Sequence, residues 1–346
     1  PDKTCYPVAS QNLQDLYNLM DVYLDAVFYP RITREIFQQE GWHYELDKPD
    51  APLSYKGVVF NEMKGAYSSP DNLLSEYSLQ SLFPDTAYGH DSGGDPQRIP
   101  ELTYERFRQF HQKYYHPANA RIFFYGDDDP GERLKRINDY LKDFDPIQID
   151  SRVALQPGFT EPQRLTRPFV VGDEGEPKGM VTLNWVLAKT QVRETNFALR
   201  VLAYILLGMP GSPLRKALMD SGLGEDIAGV GLENELLQSY FSTGLKGVET
   251  GNLSKVEPLV LETLEGLIKS GIDPLTVEAA LNTIEFGLRE NHSGGFPRGL
   301  LLMLRALTTW LYDGDPLALL AFEGPLNALK SRVKTTPNFF EEMMDH

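Results

Sequence analysis

The chain has 346 residues, more than one hydrophobic core usually supports, so two domains are expected. With 41% hydrophobic and 24% charged residues, its composition excludes a disordered or fibrous chain and is typical of a globular protein. The formal net charge is −16, and the chain lacks the clustered lysine and arginine that a nucleic-acid-binding surface needs. We therefore expect basic or polar partners and no nucleic acid.

The single cysteine, Cys5, cannot form an internal disulfide, so we expect a reducing compartment and a buried, inert thiol. No membrane-spanning segment is expected, because the densest apolar stretch, Phe197 to Met209, is interrupted by Arg200. The first residues, Pro1 to Pro7, contain neither an initiator methionine nor the basic and apolar segments of a signal peptide. The sequence is therefore expected to be an internal piece of a longer protein.

The first part of the chain shows helical spacing interrupted by short β-type segments. Apolar residues three and four positions apart predict a helix from Asn12 to Tyr29. Further predicted elements are a helix over Thr33 to Trp42, a strand over Trp42 to Leu46, a helix around Glu62, a helix over Asn72 to Leu82, a helix with Thr103 as its N-cap that ends at His116-Pro117, a strand over Ala120 to Gly126 and a helix from Pro130 to Phe144.

A proline-rich stretch separates this part from a second one of similar design. Residues 146–168 contain four prolines and little periodicity, so they include the best candidate linker. The second part has predicted strands over Met180 to Leu187, Ile227 to Leu232 and Gln238 to Val248, helices over Thr195 to Leu207, Pro213 to Ser221, Leu253 to Ser270, Pro274 to Glu290 and Arg298 to Tyr312, and then an apolar run, Pro316 to Leu320, before an irregular polar end. This order favours an α+β fold with antiparallel sheets covered by helices.

Most motifs of catalytic chemistry are absent from the sequence. The six histidines are His43, His90, His111, His116, His292 and His346. None forms an H-x-x-E-H or H-E-x-x-H pair, and His111 and His116 are too far apart to share a helix face. Dinucleotide-binding, phosphate-loop and serine-hydrolase motifs do not occur either. The glycines at Gly208 to Gly211 and at Gly294-Gly295 are expected to form turns.

Glu62 taken alone is an ordinary glutamate in the first turns of a helix. It gains meaning from an ordered set of segments: Tyr6-Pro7, Tyr23 to Ala26, Gln39 to Trp42, Lys56 to Gly65, Ser92 to Pro96 and Tyr115 to Asn119. This set resembles the presequence-protease branch of the pitrilysin and insulysin peptidases, zinc enzymes of the inverted-zincin class. The resemblance implies that Glu62 is the third zinc ligand, with Asn61 and Lys64 as candidate residues that support it.

The resemblance also implies a domain organisation. Residues 1–150 would be the C-terminal part of a catalytic metallopeptidase domain, residues 151–165 a linker, and residues 166–346 a second, non-catalytic domain. The fold implied for each is an antiparallel sheet covered by helices.

Family members of full length degrade short unfolded peptides, including targeting presequences, inside mitochondria and plastids. The expected partners are therefore peptides, and the expected location is an organelle interior or the cytoplasm. The sequence lacks the H-x-x-E-H helix, which supplies two histidine ligands and the catalytic glutamate. On its own the chain is expected to hold no Zn²⁺ and to be inactive, because one carboxylate cannot hold a catalytic zinc.

Two alternatives stay open at the level of the sequence. The chain could be a non-catalytic subunit whose partner chain carries the histidines. It could also be a peptide-binding scaffold without metal, in which Glu62 is a surface charge. Self-association is also expected, through an apolar face that the missing helix and strands would otherwise cover.

Overall fold

The structure is a computed structural model and describes residues 2–170, 178–290 and 294–345. The chain divides into two compact units. Unit 1 consists of Pro1–Leu73 and Ala87–Ala154, and unit 2 consists of Leu74–Thr86 and Leu155–His346. The domain limits predicted from the sequence stay a prediction.

Unit 1 is mainly helical and contains one small antiparallel sheet. Its elements are α1 (Leu13–Phe28), α2 (Arg34–Glu40), β1 (His43–Glu45), β2 (Ser54–Lys56), α3 (Val58–Ala66), the start of α4 (Pro70–Leu82), α5 (Tyr104–Tyr114) and α6 (Pro130–Leu141), with short 3-10 turns at Ala87–Gly89, Ile99–Glu101 and Pro117–Asn119. The helix starts follow the sequence signals, since Asn12 and Thr33 each accept a backbone N–H in the first turn of the helix that follows. Strands β1 and β2 pair with Tyr44 opposite Tyr55.

Unit 2 is built on a three-stranded antiparallel sheet. Its elements are β3 (Lys178–Lys189), α7 (Arg193–Ala203), which continues as a π-helical turn over Tyr204–Gly208, α8 (Pro213–Asp220), β4 (Asp226–Glu233), β5 (Gln238–Glu249), a 3-10 turn over Thr250–Lys255, α9 (Val256–Ser270), α10 (Pro274–Glu290), α11 (Arg298–Trp310), α12 (Glu323–Thr335) and α13 (Phe339–Asp345). The strand order is β3-β5-β4, so β5 lies in the centre.

The largest apolar core of the described residues lies in unit 2. Val201 and Ile205 from the α7 region pack with Leu214 and Leu218 of α8, against Leu245 on the sheet. All five side chains are fully buried. Each such side chain contributes on the order of 1.5–3 kcal/mol by leaving water, so this cluster is the main source of stability in unit 2.

The predicted α+β class with antiparallel sheets is confirmed. The helix N-cap at Thr103 is also confirmed, because its hydroxyl accepts a hydrogen bond from the Arg106 N–H at 3.3 Å. The prediction of a strand over Ala120 to Gly126 is wrong: these residues pair with no strand in the part of the chain that the structure describes. A β-rich composition makes a strand only where a ladder partner is present.

Two helices at the end of the chain were missed, because residues after Leu320 were predicted to be irregular. Helix α12 contains Pro325 in its first turn, where proline is tolerated because the backbone N–H has no partner within the helix. In α13 the buried side chains Phe339 and Phe340 are consecutive, so they give no helical periodicity.

The prediction that Cys5 is buried is also wrong, because the residue is exposed in an irregular segment before α1. Partial desolvation nevertheless raises the pKa of the Cys5 thiol, and the nearby Lys3 ammonium only partly offsets this. A raised pKa lowers the thiolate fraction, which does not favour a reactive cysteine.

One helical region of the described residues, Arg193–Asp220, is long and apolar enough to cross a membrane by length and composition. This differs from the sequence-based prediction of no membrane-spanning segment, which rested on the interruption of the apolar stretch by Arg200. The same region supplies Val201, Ile205 and Leu214 to the core of unit 2, and a buried core helix can be as long and as apolar as a membrane-spanning one. The packing of unit 2 therefore accounts for the apolar character of this region.

Candidate metal-ligand site on helix α3

The start of helix α3 is fixed by a close backbone approach between two glycines. Gly57, directly before the helix, has a φ of 150°, and a Cβ there would lie 2.2 Å from the carbonyl oxygen of Gly41. That carbonyl also accepts the N–H of Phe60 at 3.3 Å. The segments Gln39 to Trp42 and Lys56 to Gly65, which lie apart in the sequence, therefore meet at the first turn of α3.

Two other side chains of α3 pack into unit 1. Phe60 is buried, and its ring centroid lies 5.9 Å from that of Tyr55 on β2. Met63 faces the loop Ser92 to Pro96 so closely that a Cβ at Gly93 would lie 2.2 Å from its sulfur. Asp91 shapes this loop by accepting the Gly93 N–H at 2.8 Å. Two of the family-like segments thus meet the helix that a third one contains.

Glu62 lies on the open side of α3. Its carboxylate is exposed and has no hydrogen bond or ion pair within the part of the chain that the structure describes. Residues one turn away on the same side leave it accessible, because Val58 and Val59 are exposed and a Cβ at Gly65 would meet nothing within 4 Å. The side chain is therefore free to bind a group that approaches from this side.

Asn61 and Lys64, the two residues predicted to support Glu62, are also exposed. Asn61 is adjacent to Glu62 along the helix. Lys64 is two positions further on, which at 3.6 residues per turn places it about 200° around the helix axis from Glu62. Of the two, Asn61 is therefore closer to Glu62 around the helix axis.

The described residues alone do not fit a catalytic zinc ion. Such a site needs three protein ligands, usually including histidine. No group of three or more His, Cys, Asp or Glu side chains within residues 2–170, 178–290 and 294–345 is placed to hold a metal. Glu62 is a single carboxylate, and its role as a zinc ligand stays a prediction.

His111 and His116 of unit 1 both make contacts that stabilise the local structure. An imidazole nitrogen of His111 lies 3.0 Å from the carbonyl oxygen of Val27, and its ring stacks on Tyr115 with centroids 4.6 Å apart. His116 follows the end of α5 and accepts the Ala118 N–H at 3.1 Å. These contacts agree with the interpretation that the two residues are not a ligand pair. His292 and His346 lie outside the described residues.

The segment Tyr115 to Asn119 has a packing role in unit 1. The Tyr6 hydroxyl donates to the Tyr115 hydroxyl at 3.3 Å, and burial together with this bond raises the pKa of Tyr6. Ser151 donates to the side-chain oxygen of Asn119 at 2.6 Å. These bonds tie residues far apart in the sequence to the end of α5.

Solved structures with this arrangement of helices and antiparallel strands are M16-like peptidases. A putative M16-like peptidase from Alicyclobacillus acidocaldarius superposes with a TM-score of 0.62, at 16% sequence identity, over 95% of this chain and 72% of that one. Likeness at this level of identity shows the fold, which is that of an M16-type peptidase domain.

The amino-acid sequence identifies the family to which the chain belongs. The model of the peptidase M16 inactive domain matches residues 101–284, more than half of the chain. The chain belongs to the peptidase M16 family, the pitrilysin family expected from its motifs.

Its relatives include presequence proteases. Presequence protease 1 of Arabidopsis thaliana, described as chloroplastic and mitochondrial, is 53% identical over 340 residues, which cover 96% of this chain and 32% of the plant protein. The mitochondrial presequence protease of Mus musculus is 37% identical, over 99% of this chain and 34% of the mouse protein. The chain spans about a third of the length of these relatives.

The structure also shows a feature that the sequence analysis missed. Trp42, Tyr44 and Tyr55 form an aromatic face on the β1–β2 hairpin. Tyr44 was visible only as one residue of an alternating segment, and β2 was not predicted at all. The signal that could have revealed this face is the alternation of aromatic residues at positions 42, 44 and 55 with polar ones.

Proposed function

We propose that this chain is part of a presequence-type M16 metallopeptidase, in which Glu62 is a zinc ligand and the substrates are short unfolded peptides. The observation that carries the proposal is the Glu62 carboxylate, which is exposed and without a partner among the described residues. It lies on a helix that belongs to one family-like segment and is contacted by two others. The identity of 53% to a presequence protease supports it.

The remaining zinc ligands and the catalytic base would come from residues outside this sequence. Zinc bound there would polarise a peptide carbonyl and lower the pKa of a bound water. The contribution of this chain is to hold the Glu62 carboxylate in a fixed direction. The Gly41–Gly57 contact and the buried side chain of Phe60 hold the helix that carries this carboxylate.

The proposal predicts a difference between the chain alone and the whole protein. The whole protein should hydrolyse a fluorogenic unfolded peptide, and a zinc chelator should abolish the reaction. The chain alone, correctly folded by circular dichroism, should show no hydrolysis above background, because one carboxylate cannot hold a catalytic zinc. Chelator-sensitive hydrolysis by the chain alone would contradict the proposal.

A second candidate is a non-catalytic, peptide-binding role. It is favoured by the description of the matched model, which is that of an inactive domain. In that case the whole protein would bind peptides, and replacement of Glu62 would leave both binding and hydrolysis unchanged. Self-association of the chain also stays a prediction.

We further propose an organelle interior as the location, because the plant and mouse relatives are described as chloroplastic or mitochondrial. The net charge of −16 agrees with peptide substrates that carry positive charge, since opposite charges speed encounter. Raising the ionic strength should then slow hydrolysis of a basic peptide more than that of a neutral one.

A further inference from the structure

The β1–β2 hairpin of unit 1 has two chemically different faces. On one face the Trp42 and Tyr44 rings meet edge to face with centroids 5.4 Å apart, and Tyr44 lies 5.2 Å from Tyr55. On the other face, Glu45 lies 3.6 Å from both the His43 imidazole and the Lys56 ammonium. The aromatic face is not sealed, because Tyr44 is 58% exposed.

A cavity of about 780 Å³ opens beside this hairpin, within unit 1. We call it the Trp42 cavity. Its walls are the end of α2 (Gln38 and Gln39), the segment Trp42 to Tyr44, and the segment Leu102 to Glu105. The Trp42 indole N–H joins two of these walls by donating to the carbonyl oxygen of Leu102 at 2.9 Å.

The guanidinium and the carboxylate that line the Trp42 cavity pair with each other. The guanidinium of Arg34 donates to the carboxylate of Glu105 at 2.6 Å and also lies over the Tyr104 ring, 5.2 Å from its centroid. An ionic ligand would therefore have to compete with this exposed ion pair for either charge. A neutral ligand would instead meet the Tyr44 ring and the Leu102 side chain, which both line the cavity and are both exposed.

The cavity also borders an unpaired strand edge. In the part of the chain that the structure describes, β1 and β2 form a two-stranded sheet, so β1 pairs on one side only. The lining includes His43 and Tyr44 of β1 but no residue of β2, so the cavity lies on the β1 side of the hairpin. An unpaired edge presents backbone N–H and C=O groups that an extended chain can pair with.

We propose that the Trp42 cavity is a docking site for an extended, uncharged segment of peptide, which pairs with the edge of β1 that is unpaired among the described residues and places one aromatic or large aliphatic side chain between Tyr44 and Leu102. Backbone pairing supplies affinity that is independent of sequence, and the pocket selects the apolar side chain. The site deepens the proposed function, on which it rests, by giving peptides a holding point distinct from the Glu62 face.

Fluorescence anisotropy of a labelled peptide tests this directly. The probe is a short peptide of serine, threonine and glycine with one central phenylalanine, titrated with the whole protein in the presence of a zinc chelator to prevent cleavage. Changing the phenylalanine to serine, or N-methylating the two flanking peptide bonds, should each weaken binding at least about fivefold, because each removes one of the two modes of recognition.

Variants of the protein locate the site. Tyr44→Ser and Leu102→Ser should each weaken binding of the phenylalanine peptide at least about fivefold. Phe286→Ser is the control, because Phe286 is an exposed aromatic residue of unit 2, and it should leave binding unchanged. Equal binding by all three variants, or no difference between the original and N-methylated peptides, would overturn the proposal.

The docking site and the proposed function can fail independently, and the experiments distinguish the two cases. Glu62→Ala should abolish hydrolysis in zinc and leave the anisotropy titration unchanged, since Glu62 does not line the cavity. Normal hydrolysis with no binding at the Trp42 cavity would overturn the docking site alone. Binding at the cavity without any zinc-dependent hydrolysis would contradict the proposed function alone.

Discussion

Glu62 and Glu341 are both glutamates on helices, but the structure gives them opposite surroundings. Glu62 on α3 is exposed and has no partner among the described residues. Glu341 on α13 is buried, and its carboxylate accepts the backbone N–H of Ile272 at 2.6 Å. The sequence offers no local signal that separates them. What predicted a role for Glu62 was its place within an ordered set of motifs, and what explains Glu341 is packing seen only in the fold.

Asp128 and Arg133 form the least exposed ion pair described in unit 1. Arg133 donates to both carboxylate oxygens of Asp128, and the two side chains are only 12% and 6% exposed, arginine first. The Arg133 guanidinium also lies over the Phe124 ring, 5.0 Å from its centroid. These hydrogen bonds hold the pKa of Asp128 below its ordinary value.

The Asp128–Arg133 pair makes the stability of unit 1 depend on pH in the acid range. Because the pKa of Asp128 is lower in the folded chain than in the unfolded one, its contribution is complete above the unfolded value, about 4, and is lost as the pH falls through the folded value. We expect Asp128→Asn to lower the free energy of unfolding by about 1–3 kcal/mol at pH 7.

Urea unfolding followed by circular dichroism between pH 7 and pH 3 provides the measurement. The difference between wild type and Asp128→Asn should shrink as the pH falls below about 4. Asp150→Asn is the control, because Asp150 pairs with Arg152 at the surface, where ion pairs contribute little. A difference that stays constant over this pH range would contradict the assignment.

At the scale of elements, α3 depends on a backbone contact rather than on its own sequence. The helix has nine residues and no side-chain N-cap, so its position is set by the contact of Gly57 with Gly41. Isolated helices of this length are marginal in water. The direction of Glu62 is therefore a property of unit 1 as a whole.

Gly57→Ala should destabilise unit 1, because its Cβ would lie 2.2 Å from the Gly41 carbonyl oxygen and glycine is favoured at a φ of 150°. We expect a cost of about 1–3 kcal/mol. Gly65→Ala, in the same helix, meets nothing within 4 Å and should be neutral or stabilising by up to about 1 kcal/mol.

Hydrogen exchange measured by mass spectrometry reports on both variants locally. Peptides covering residues 41–66 should exchange faster in Gly57→Ala and no faster than wild type in Gly65→Ala. Equal protection in the two variants would show that the glycine contact does not position α3.

Elements with complete local signals were predictable, and those that depend on distant partners were not. Helices α1 and α5 carry an N-cap and an apolar face, so their spans follow from the sequence. The segment Ala120 to Gly126 has the residues of a strand but no ladder partner among the described residues. Helix α13 is held by burial of consecutive phenylalanines and has no periodic pattern.

At the scale of the whole molecule, the fold class and family could be predicted, while the zinc site could be predicted only in part. The family follows from motifs spread over the first half of the chain, and the comparisons confirm it. Glu62 was singled out by the same motifs. The Trp42 cavity could not be predicted, because it joins α2, β1 and the start of α5, of which α5 is distant in the sequence from the other two.

The proposed function makes the metal content of the whole protein depend on one side chain of this chain. Glu62→Ala should remove a ligand and lower bound zinc from about one ion per chain to near zero, because three protein ligands are needed to hold it. Asn61→Ala, which removes a candidate supporting residue next to Glu62, should weaken zinc binding by about 10- to 100-fold. Glu40→Ala, which removes an exposed carboxylate of α2, is the matched control.

Zinc bound per chain, measured by elemental analysis after dialysis against buffer at a fixed free zinc concentration, tests the central claim most directly. We predict about one zinc ion per chain for wild type and for Glu40→Ala, and almost none for Glu62→Ala with the fold intact by circular dichroism. Wild-type zinc content in a folded Glu62→Ala protein would contradict the account.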